Sequence, residues 1–418
     1  MNIAIIGAGA AGSFCAVQTA RMLDAKDNID VFEGGRRALA KVAVTGGGRC
    51  NLTNSFRRVS SLASVYPRGE RLMKRALRQW SHEDTMRWFE GEGVRLVTQD
   101  DECVFPVSQN AMQIVNILLD GMADAGVRLH LSHRVEDIVP CGDGYEIRFA
   151  DTQQTPYKAD KVVIAVGGCP QVERLRFMRH LDVDIVPPVP SLYTLCISDK
   201  GLCSLMGTVT DNVTLSVAGT KFRSVGTLLI THWGISGPAT LVLSSYAARY
   251  LAEHGYVATL CINWMGDSDE ESVRRTVEQI GARHPQRLVT TERPQSLSLN
   301  LWRCLTMRSG ITPDTKWADV SGKKFNRLVS TLTSDTYQIS GKGQYKEEFV
   351  TCGGVSLHSI DIGTLEAKRH PGVYLAGEVL DVDAVTGGFN LQAAWSMGHI
   401  VATGIANTAG QCCASKEI

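Results

Sequence analysis

The feature that most constrains this chain is a glycine-rich turn close to its start. Residues 7–12, GAGAAG, fit the pattern GxGxxG, follow the apolar run Asn2 to Ile6 and precede a helical stretch from Ser13 to Leu23. In this pattern the first glycine permits a tight turn, the second lets a pyrophosphate approach the backbone, and the third allows close packing of helix and strand. The sequence therefore predicts a helix whose N-terminus faces the phosphates of a dinucleotide.

An acidic residue in the expected place supports this interpretation. The second apolar run, Ile29 to Phe32, ends in Glu33, about 20 residues after Gly12, where such units place a ribose-binding acid. A carboxylate accepts hydrogen bonds from ribose hydroxyls and repels a 2′-phosphate. Strand, turn, helix, strand and acid together predict a βαβ dinucleotide-binding unit.

The rest of the chain suggests that this domain is interrupted. Strand-like and helical runs alternate up to a cluster of prolines at Pro187, Pro188 and Pro190, which indicates a boundary near residue 190. Short β-type runs and then polar helical runs follow, and glycine-rich αβ patterns resume after Thr351, beginning with a predicted Cys-Gly-Gly-Val turn. The predicted organisation is a first domain at 1–190 and 335–418, with an insert at 191–334 that is β-rich over 191–265 and helical over 266–334.

Later segments favour FAD over NAD. Residues 45–54, TGGGRCNLTN, allow backbone to pass beneath an extended dinucleotide, with Arg49 placed to meet its phosphates. The strand-then-glycine run at 162–168 and the strand-end acid Glu378 in YLAGE suit a cofactor that extends past the first unit. Residues 386–392, TGGFNLQ, open a helix whose free N–H groups could face flavin N1 and O2. No second GxGxxG lies after Gly168, so a dedicated NAD(P)H domain is not supported.

Four long segments carry a family resemblance: VTGGGRCNLTN, GTLLITHWGISGP, TCGGVSLHSID and GEVLDVDAVTGGFNLQAAWSMGHIVA. Over nearly its whole length the chain resembles the bacterial YhiN/BaiN-like flavoproteins. The resemblance implies an α/β fold with a Rossmann-like FAD-binding domain of the glutathione-reductase type, in two sequence segments around a β-barrel-like and helical insert. Ala384, where glycine is common, and the stretch 34–39 depart from the family pattern. The FAD contacts that the resemblance implies are Gly7, Gly9, Ala11, Gly12, Glu33, Arg49, Cys50, Asn51, Val135, Gly377, Glu378, Gly388, Phe389, Asn390 and Leu391.

The resemblance implies an FAD-dependent oxidoreductase that passes hydride through flavin N5, with NAD(P)H as transient electron donor and an enone or 3-oxo bile-acid-like substrate. Two alternatives stay open: an amine or hydroxy-compound oxidase that uses O2, like relatives labelled aminoacetone oxidase, and a non-redox or RNA-modifying FAD protein. A disulfide reductase is disfavoured because Ser55 stands where a CxxxxC pattern starting at Cys50 needs its second thiol. We interpret Cys50 as packing beside the flavin.

The catalytic candidates rest on motif position alone. His232, in THWGISGP, could protonate a substrate oxygen because an unperturbed histidine titrates near pH ~6.5. A structural turn histidine fits the same residue. Lys342 and Tyr345, in SGKGQYKEEF, could line the flavin or bind an anionic substrate, or belong to a solvated loop. No residue pattern indicates a metal site.

Charge and hydropathy limit the partners. Lys plus Arg and Asp plus Glu number 43 each, so the chain as a whole has no positive field to attract nucleic acid or anionic lipid. No apolar run approaches the roughly 18 residues of a membrane span, and no signal peptide precedes the first strand. We therefore expect a cytoplasmic protein that acts on a small molecule, without a nucleic-acid or membrane partner; the sequence leaves the oligomeric state open.

Overall fold

The computed structural model describes residues 1–24, 26–169, 171–343 and 350–414, with the side chains of 410–414 left out. It divides into two compact units, Met1–Val189 with Val350–Ile418, and Pro190–Phe349.

The first stretch of the chain alternates strands and helices. Its strands are β1 (Asn2–Ile6), β2 (Asn28–Phe32), β3 (Thr53–Asn54), β4 (Leu96–Thr98), β5 (Cys103–Pro106), β6 (Arg128–His130), β7 (Val135–Cys141), β8 (Gly144–Phe149), β9 (Tyr157–Ala159), β10 (Lys161–Ile164) and β11 (Ile185–Ser191). Its helices are α1 (Ala10–Met22), α2 (Ala40–Gly48), α3 (Leu62–Val65), α4 (Glu70–Gln79), α5 (His82–Gly91) and α6 (Ala111–Asp124), followed by a 3₁₀ helix at Val172–Met178.

The middle stretch forms the second unit. Its strands are β12 (Leu195–Ile197), β13 (Val209–Val217), β14 (Arg223–Thr231), β15 (Gly234–Ser236), β16 (Ala258–Asn263) and β17 (Asp335–Lys342). Its helices are α7 (Lys200–Cys203), α8 (Pro238–Tyr246), α9 (Ala248–Glu253), α10 (Glu270–Arg283), α11 (Leu299–Arg308) and α12 (Gly322–Ser334). The chain then returns to the first unit with β18 (Val350–Val355), β19 (Val373–Leu375) and α13 (Phe389–Ala414).

A five-stranded parallel sheet forms the centre of the first unit, in the order β19-β10-β1-β2-β6. Residues 3–6 of β1 are all buried, as expected for a strand covered on both faces. The predicted domain in two sequence segments is thereby confirmed at the level of the sheet, because β19 comes from the second segment and pairs with β10 from the first. An antiparallel ribbon, β7-β8-β9, is attached to this unit.

The second unit is built around a closed six-stranded barrel in the order β12-β15-β14-β13-β16-β17. Its apolar interior includes Leu215, Ile230 and Leu260, all fully buried. The predicted return to the first domain at residue 335 is wrong, because β17 pairs with both β12 and β16 and closes the barrel. The first unit resumes at Val350. The predicted Cys-Gly-Gly-Val turn at 352–355 is also wrong, since these residues lie within β18.

Candidate functional site

Four predicted motifs follow the strands of one parallel sheet. The GAGAAG turn follows β1, Glu33 follows β2, the glycines at 167–168 follow β10, and Gly377 with Glu378 follows β19. Because the strands are parallel, all four motifs meet at the same edge of the sheet. Ligands of open α/β sheets bind outside this edge.

The GAGAAG turn leads directly into α1. The Ser13 amide donates to Gly9 O at 3.0 Å, so Gly9 caps the helix. A Cβ atom on Gly12 would collide with Gly7 O, which explains why glycine is needed where the helix starts against the turn. The N–H groups of the first helical turn have no partner within the helix and are available for phosphate oxygens.

The Glu33 carboxylate lies against this turn. Its Oε2 atom accepts a hydrogen bond from Ala8 N at 3.0 Å, and Oε1 accepts one from Gly35 N at 2.7 Å. Each oxygen keeps a second lone pair, so the carboxylate can still accept from ribose hydroxyls. Val135 starts β7 near the same place, because His133 N donates to Glu33 O at 2.8 Å and Gly34 packs on Arg134. The two residues predicted to hold the adenosine are thus brought together.

Residues 51–54 and 387–392, which belong to separate predicted motifs, pack directly on each other. Asn54 Nδ2 donates to Gly387 O at 3.0 Å, and Thr53 Oγ1 donates to Gln392 Oε1 at 2.6 Å. Gly388 has φ +89°, and a Cβ atom there would collide with Thr53 O. The Asn51 side-chain amide donates to Thr53 O at 3.0 Å and accepts from Gly388 N at 3.1 Å. Glycine at 388 therefore lets the two segments touch.

The start of α13 is held by side chains on either side of it. The Asn390 amide bonds both backbone groups of Ala384, accepting from N at 2.9 Å and donating to O at 3.0 Å. Tyr66 OH donates to Phe389 O at 2.9 Å. The Asn390 side chain is thus engaged in fixing the loop, so only its backbone is available to a flavin. Leu391, partly buried, packs against the aromatic core below.

The Glu378 carboxylate joins three parts of the first unit. Its Oε1 atom accepts from Thr351 N at 2.6 Å, and Oε2 lies 3.5 Å from Lys41 Nζ. An added Cβ on neighbouring Gly377 would lie 3.0 Å from Ala11 Cβ, which places this segment beside the first turn of α1. The motif near the end of the chain thus adjoins the motif at its beginning.

Arg49 and Cys50 occupy different environments. Arg49 is exposed, donates from Nε to Gly46 O at 3.0 Å and stacks its guanidinium over Phe105, 4.5 Å from the ring centroid. Cys50 is fully buried in the cluster that contains Phe14 and Trp395, and burial raises the pKa of its thiol to about 12. A thiol in this state is a poor nucleophile, which agrees with the interpretation of Cys50 as a packing residue.

The two catalytic candidates within the described residues both lie beside β12 of the barrel. His232 is exposed in the turn between β14 and β15, and Lys342 ends β17. Lys342 is paired with Leu195, whereas Ile197 N bonds Trp233 O beside His232, so the two candidates lie toward opposite ends of β12. Both belong to the second unit. Tyr345 lies outside the described residues.

An ion pair beside the site was not expected from the sequence. Arg68 Nε lies 2.6 Å from Asp383 Oδ1, and a second contact joins Arg68 Nη2 to Asp383 Oδ2. The Asp383 side chain is fully buried. A lone carboxylate within the apolar run 382–385 is the signal that could have revealed a cationic partner, because a buried charge needs one.

Among the described residues, no group of three or more His, Cys, Asp and Glu side chains is arranged to hold a metal ion. Within the same residues, no helix combines the length and apolar character that crossing a membrane requires.

A family model described as HI0933-like protein Rossmann domain matches residues 1–404. The chain belongs to this HI0933-like family. The resemblance predicted from the motifs is thereby confirmed, and with it the α/β fold class. The family is one of FAD-dependent oxidoreductases, so the predicted enzyme class and flavin cofactor are supported for this HI0933-like protein.

Two curated relatives extend over nearly the whole chain. Ribosomal RNA dihydrouridine synthase of Escherichia coli (strain K12) is 30% identical over 409 residues, covering 94% of each protein. The 3-dehydro-bile acid delta(4,6)-reductase of Clostridium scindens is 26% identical over 411 residues, covering 96% of this chain and 97% of the relative. Among solved structures, 3-ketosteroid-delta4-(5alpha)-dehydrogenase from Rhodococcus jostii RHA1 covers 97% of this HI0933-like chain and 96% of its own, at TM-score 0.51 and 13% identity. This last likeness concerns the fold.

Proposed function

We propose that this HI0933-like protein is an FAD-dependent reductase that saturates a carbon–carbon double bond conjugated to a carbonyl group. The observation that carries the proposal is the common chemistry in the names of two full-length relatives. Dihydrouridine arises from uridine by saturation of the C5–C6 double bond, which is conjugated to the C4 carbonyl. A delta(4,6)-reductase of a 3-dehydro-bile acid acts on double bonds conjugated to a 3-oxo group.

The edge of the sheet in the first unit suits FAD. The first turn of α1 supplies unpaired N–H groups for the pyrophosphate, and Glu33 supplies carboxylate oxygens for the ribose. The N-terminus of α13 supplies a positive dipole end for the flavin pyrimidine ring. Asn390 and Thr53 hold that helix start against residues 51–54, so its geometry is preformed. When bound, FAD supplies hydride transfer through N5.

The reaction balances with NAD(P)H as the donor of two electrons. A hydride is added to the alkene carbon β to the carbonyl, a proton is added to the α carbon, and the nicotinamide leaves oxidised. The protein must orient the alkene over the flavin and provide the proton. His232 and Lys342 stay predictions for the proton donor or for substrate binding.

Two kinds of substrate carry the required group, a uracil in RNA and a steroid-like enone. The identities of 30% and 26% to the two relatives do not favour one substrate over the other. The oxidase alternative has no comparable support. Peroxide formation with candidate amines would be its signature.

The test begins with a visible spectrum of the purified protein, which should show bound flavin or acquire it on adding FAD. Under anaerobic conditions NADH or NADPH should bleach the flavin, and cyclohex-2-enone should restore its colour. Cyclohexanone, the saturated analogue, is the matched control and should leave the flavin reduced. A protein that takes up no FAD, or whose reduced flavin is reoxidised by O2 and by no enone, uridine-containing RNA or Δ4-3-oxosteroid, would refute the proposal.

A further inference from the structure

A stripe of basic side chains runs along the exposed face of α4. Its members are spaced at i, i+3, i+4 and i+7, so they share one face over roughly 10 Å. The opposite face is buried and includes Leu72, Met73 and Ala76. We call the exposed set the basic stripe; it consists of Arg71, Lys74, Arg75 and Arg78.

Within the described residues the basic stripe is not held in ion pairs, although the Arg75 guanidinium lies beside Gly363, close to Asp361. In the part of the chain that the structure describes, none of its four side chains forms an ion pair, whereas other cations of the same unit do, such as Arg21 with Glu92 and Arg128 with Asp30. Like charges three and four residues apart repel and destabilise a helix. The only acid within α4 is Glu70, in its first turn. The arrangement thus concentrates positive charge although the chain as a whole is neutral.

The basic stripe begins beside the candidate cofactor site. Gly69, which precedes α4, lies against Val382, and Arg68 pairs with the buried Asp383. The next residue, Ala384, is the one that Asn390 holds by both backbone groups. A ligand bound along the stripe would therefore extend from the rim of the segment that leads to Gly387 and Gly388.

We infer that the basic stripe binds the phosphate backbone of an RNA substrate and positions it for reduction of a uracil. The inference rests on the proposed function and names the substrate class. Arg and Lys contacts to phosphates fix the register of a nucleic acid without reading its sequence, and the reacting base must leave its stack to reach the active site. The relative named for ribosomal RNA is in keeping with such a substrate.

Burial of the apolar face disfavours insertion of α4 into a membrane. A helix that binds a bilayer inserts its apolar face between lipids. In α4 the apolar residues Leu72, Met73 and Ala76 are fully buried within the protein. Only the charged face is free, which fits a hydrated polyanion.

Binding of a fluorescently labelled, uridine-rich single-stranded RNA of ~20 nucleotides, measured by anisotropy over a range of salt, tests the inference. The variant R71Q/K74Q should bind about tenfold more weakly than wild type at low salt, and the slope of log affinity against log salt should fall by roughly 1.4. The control K158Q/K221Q, which removes two exposed lysines from β9 and from the β13–β14 turn, changes the net charge equally and should bind like wild type. The variant R71Q/K74Q/R75Q/R78Q, which removes the whole basic stripe, should lose most of its RNA binding.

Three outcomes would overturn the inference. Wild type binds no RNA, or the control K158Q/K221Q loses as much RNA binding as R71Q/K74Q. In the third, R71Q/K74Q keeps its RNA binding and loses only its binding to phosphatidylserine vesicles or polyglutamate. The variants should keep the flavin spectrum, the rate of cyclohexenone reduction and a melting temperature at or above that of wild type. These readouts separate the two proposals. A wild-type protein that binds RNA through the stripe but reduces neither an enone, uridine-containing RNA nor a Δ4-3-oxosteroid would refute the proposed reaction and leave RNA binding by the stripe standing.

Discussion

The Thr53 hydroxyl donates a 2.6 Å hydrogen bond to Gln392 Oε1, joining residues 339 positions apart in the chain. Both side chains are fully buried. The chain of hydrogen bonds continues from Gln392 Nε2 to Ser396 Oγ at 3.0 Å, and from that hydroxyl to Trp80 O at 2.8 Å. The two halves of the candidate flavin site are thus tied together by buried polar groups rather than by apolar contact alone.

Replacing this hydroxyl tests its contribution. Thr53→Val keeps the shape of the side chain but leaves Gln392 Oε1 buried without its donor, so the free energy of unfolding should fall by about 1–3 kcal/mol. FAD binding should weaken in parallel, because the start of α13 loses an anchor. Urea denaturation and flavin titration measure the two effects. The control Thr312→Val, at an exposed site, should change stability by less than about 0.5 kcal/mol; an equal effect of both substitutions would contradict the assignment.

The Glu33 carboxylate should matter more for cofactor affinity than for folding. In Glu33→Gln, an amide NH2 group competes for the place of an oxygen that accepts from Ala8 N or Gly35 N, and the charged acceptor for the ribose is lost. We expect FAD affinity to fall by about ten- to a hundredfold, the range for hydrogen bonds to a charged group. Quenching of flavin fluorescence on titration measures it. Glu90→Gln, at an exposed helical position, provides the comparison and should bind FAD normally.

The buried Asp30 carboxylate predicts a specific pH dependence of stability. Burial opposes its ionisation, but hydrogen bonds from Arg128, Tyr157 and His130 outweigh this and hold the pKa of Asp30 below its ordinary value. A lowered pKa stabilises the fold at pH values above the unfolded pKa of about 3.9, and the contribution disappears as the pH falls through the folded value. Asp30→Asn should therefore cost about 2 kcal/mol at pH 7.

The difference between wild type and Asp30→Asn should stay constant from about pH 7 to pH 5 and narrow below about pH 4. Urea denaturation at several pH values measures it. Asp24→Asn, which removes an exposed carboxylate, should show little difference at any pH. A difference that widens on acidification would mean that the sign of the Asp30 shift is wrong.

The thiols should differ in reactivity according to burial. Burial raises the pKa of both Cys15 and Cys50 to about 12, so neither should be alkylated by iodoacetamide at pH 8 in the native protein. The exposed Cys141 should react readily, and Cys141→Ser should abolish that fraction of the label. Mass spectrometry before and after unfolding in urea identifies the modified peptides. Rapid native labelling of Cys50 would reopen a role for it as a nucleophile.

Net charge and local charge spacing carry different information about partners. The balance of 43 basic and 43 acidic residues is the basis for predicting no nucleic-acid partner. Local spacing carries different information, because Arg71, Lys74, Arg75 and Arg78 follow the period of a helix. The period alone leaves open whether such a face is neutralised by neighbouring acids; among the described residues, no ion pair joins an acid to the basic stripe.

By itself, the sequence determined the strand, glycine turn, helix and acid at the start of the chain, since each depends on short-range backbone geometry and packing. It also identified the later glycine-rich segments at 45–54, 162–168 and 386–392. Only the tertiary structure decided that residues 51–54 meet residues 387–392, that Asn390 is engaged with Ala384, and that β17 belongs to the barrel. These features depend on which strands are neighbours and which helices pack together. Thr53 and Gln392 lie 339 positions apart, and β17 pairs with β12, more than 140 positions earlier; no local pattern of side chains encodes such pairings.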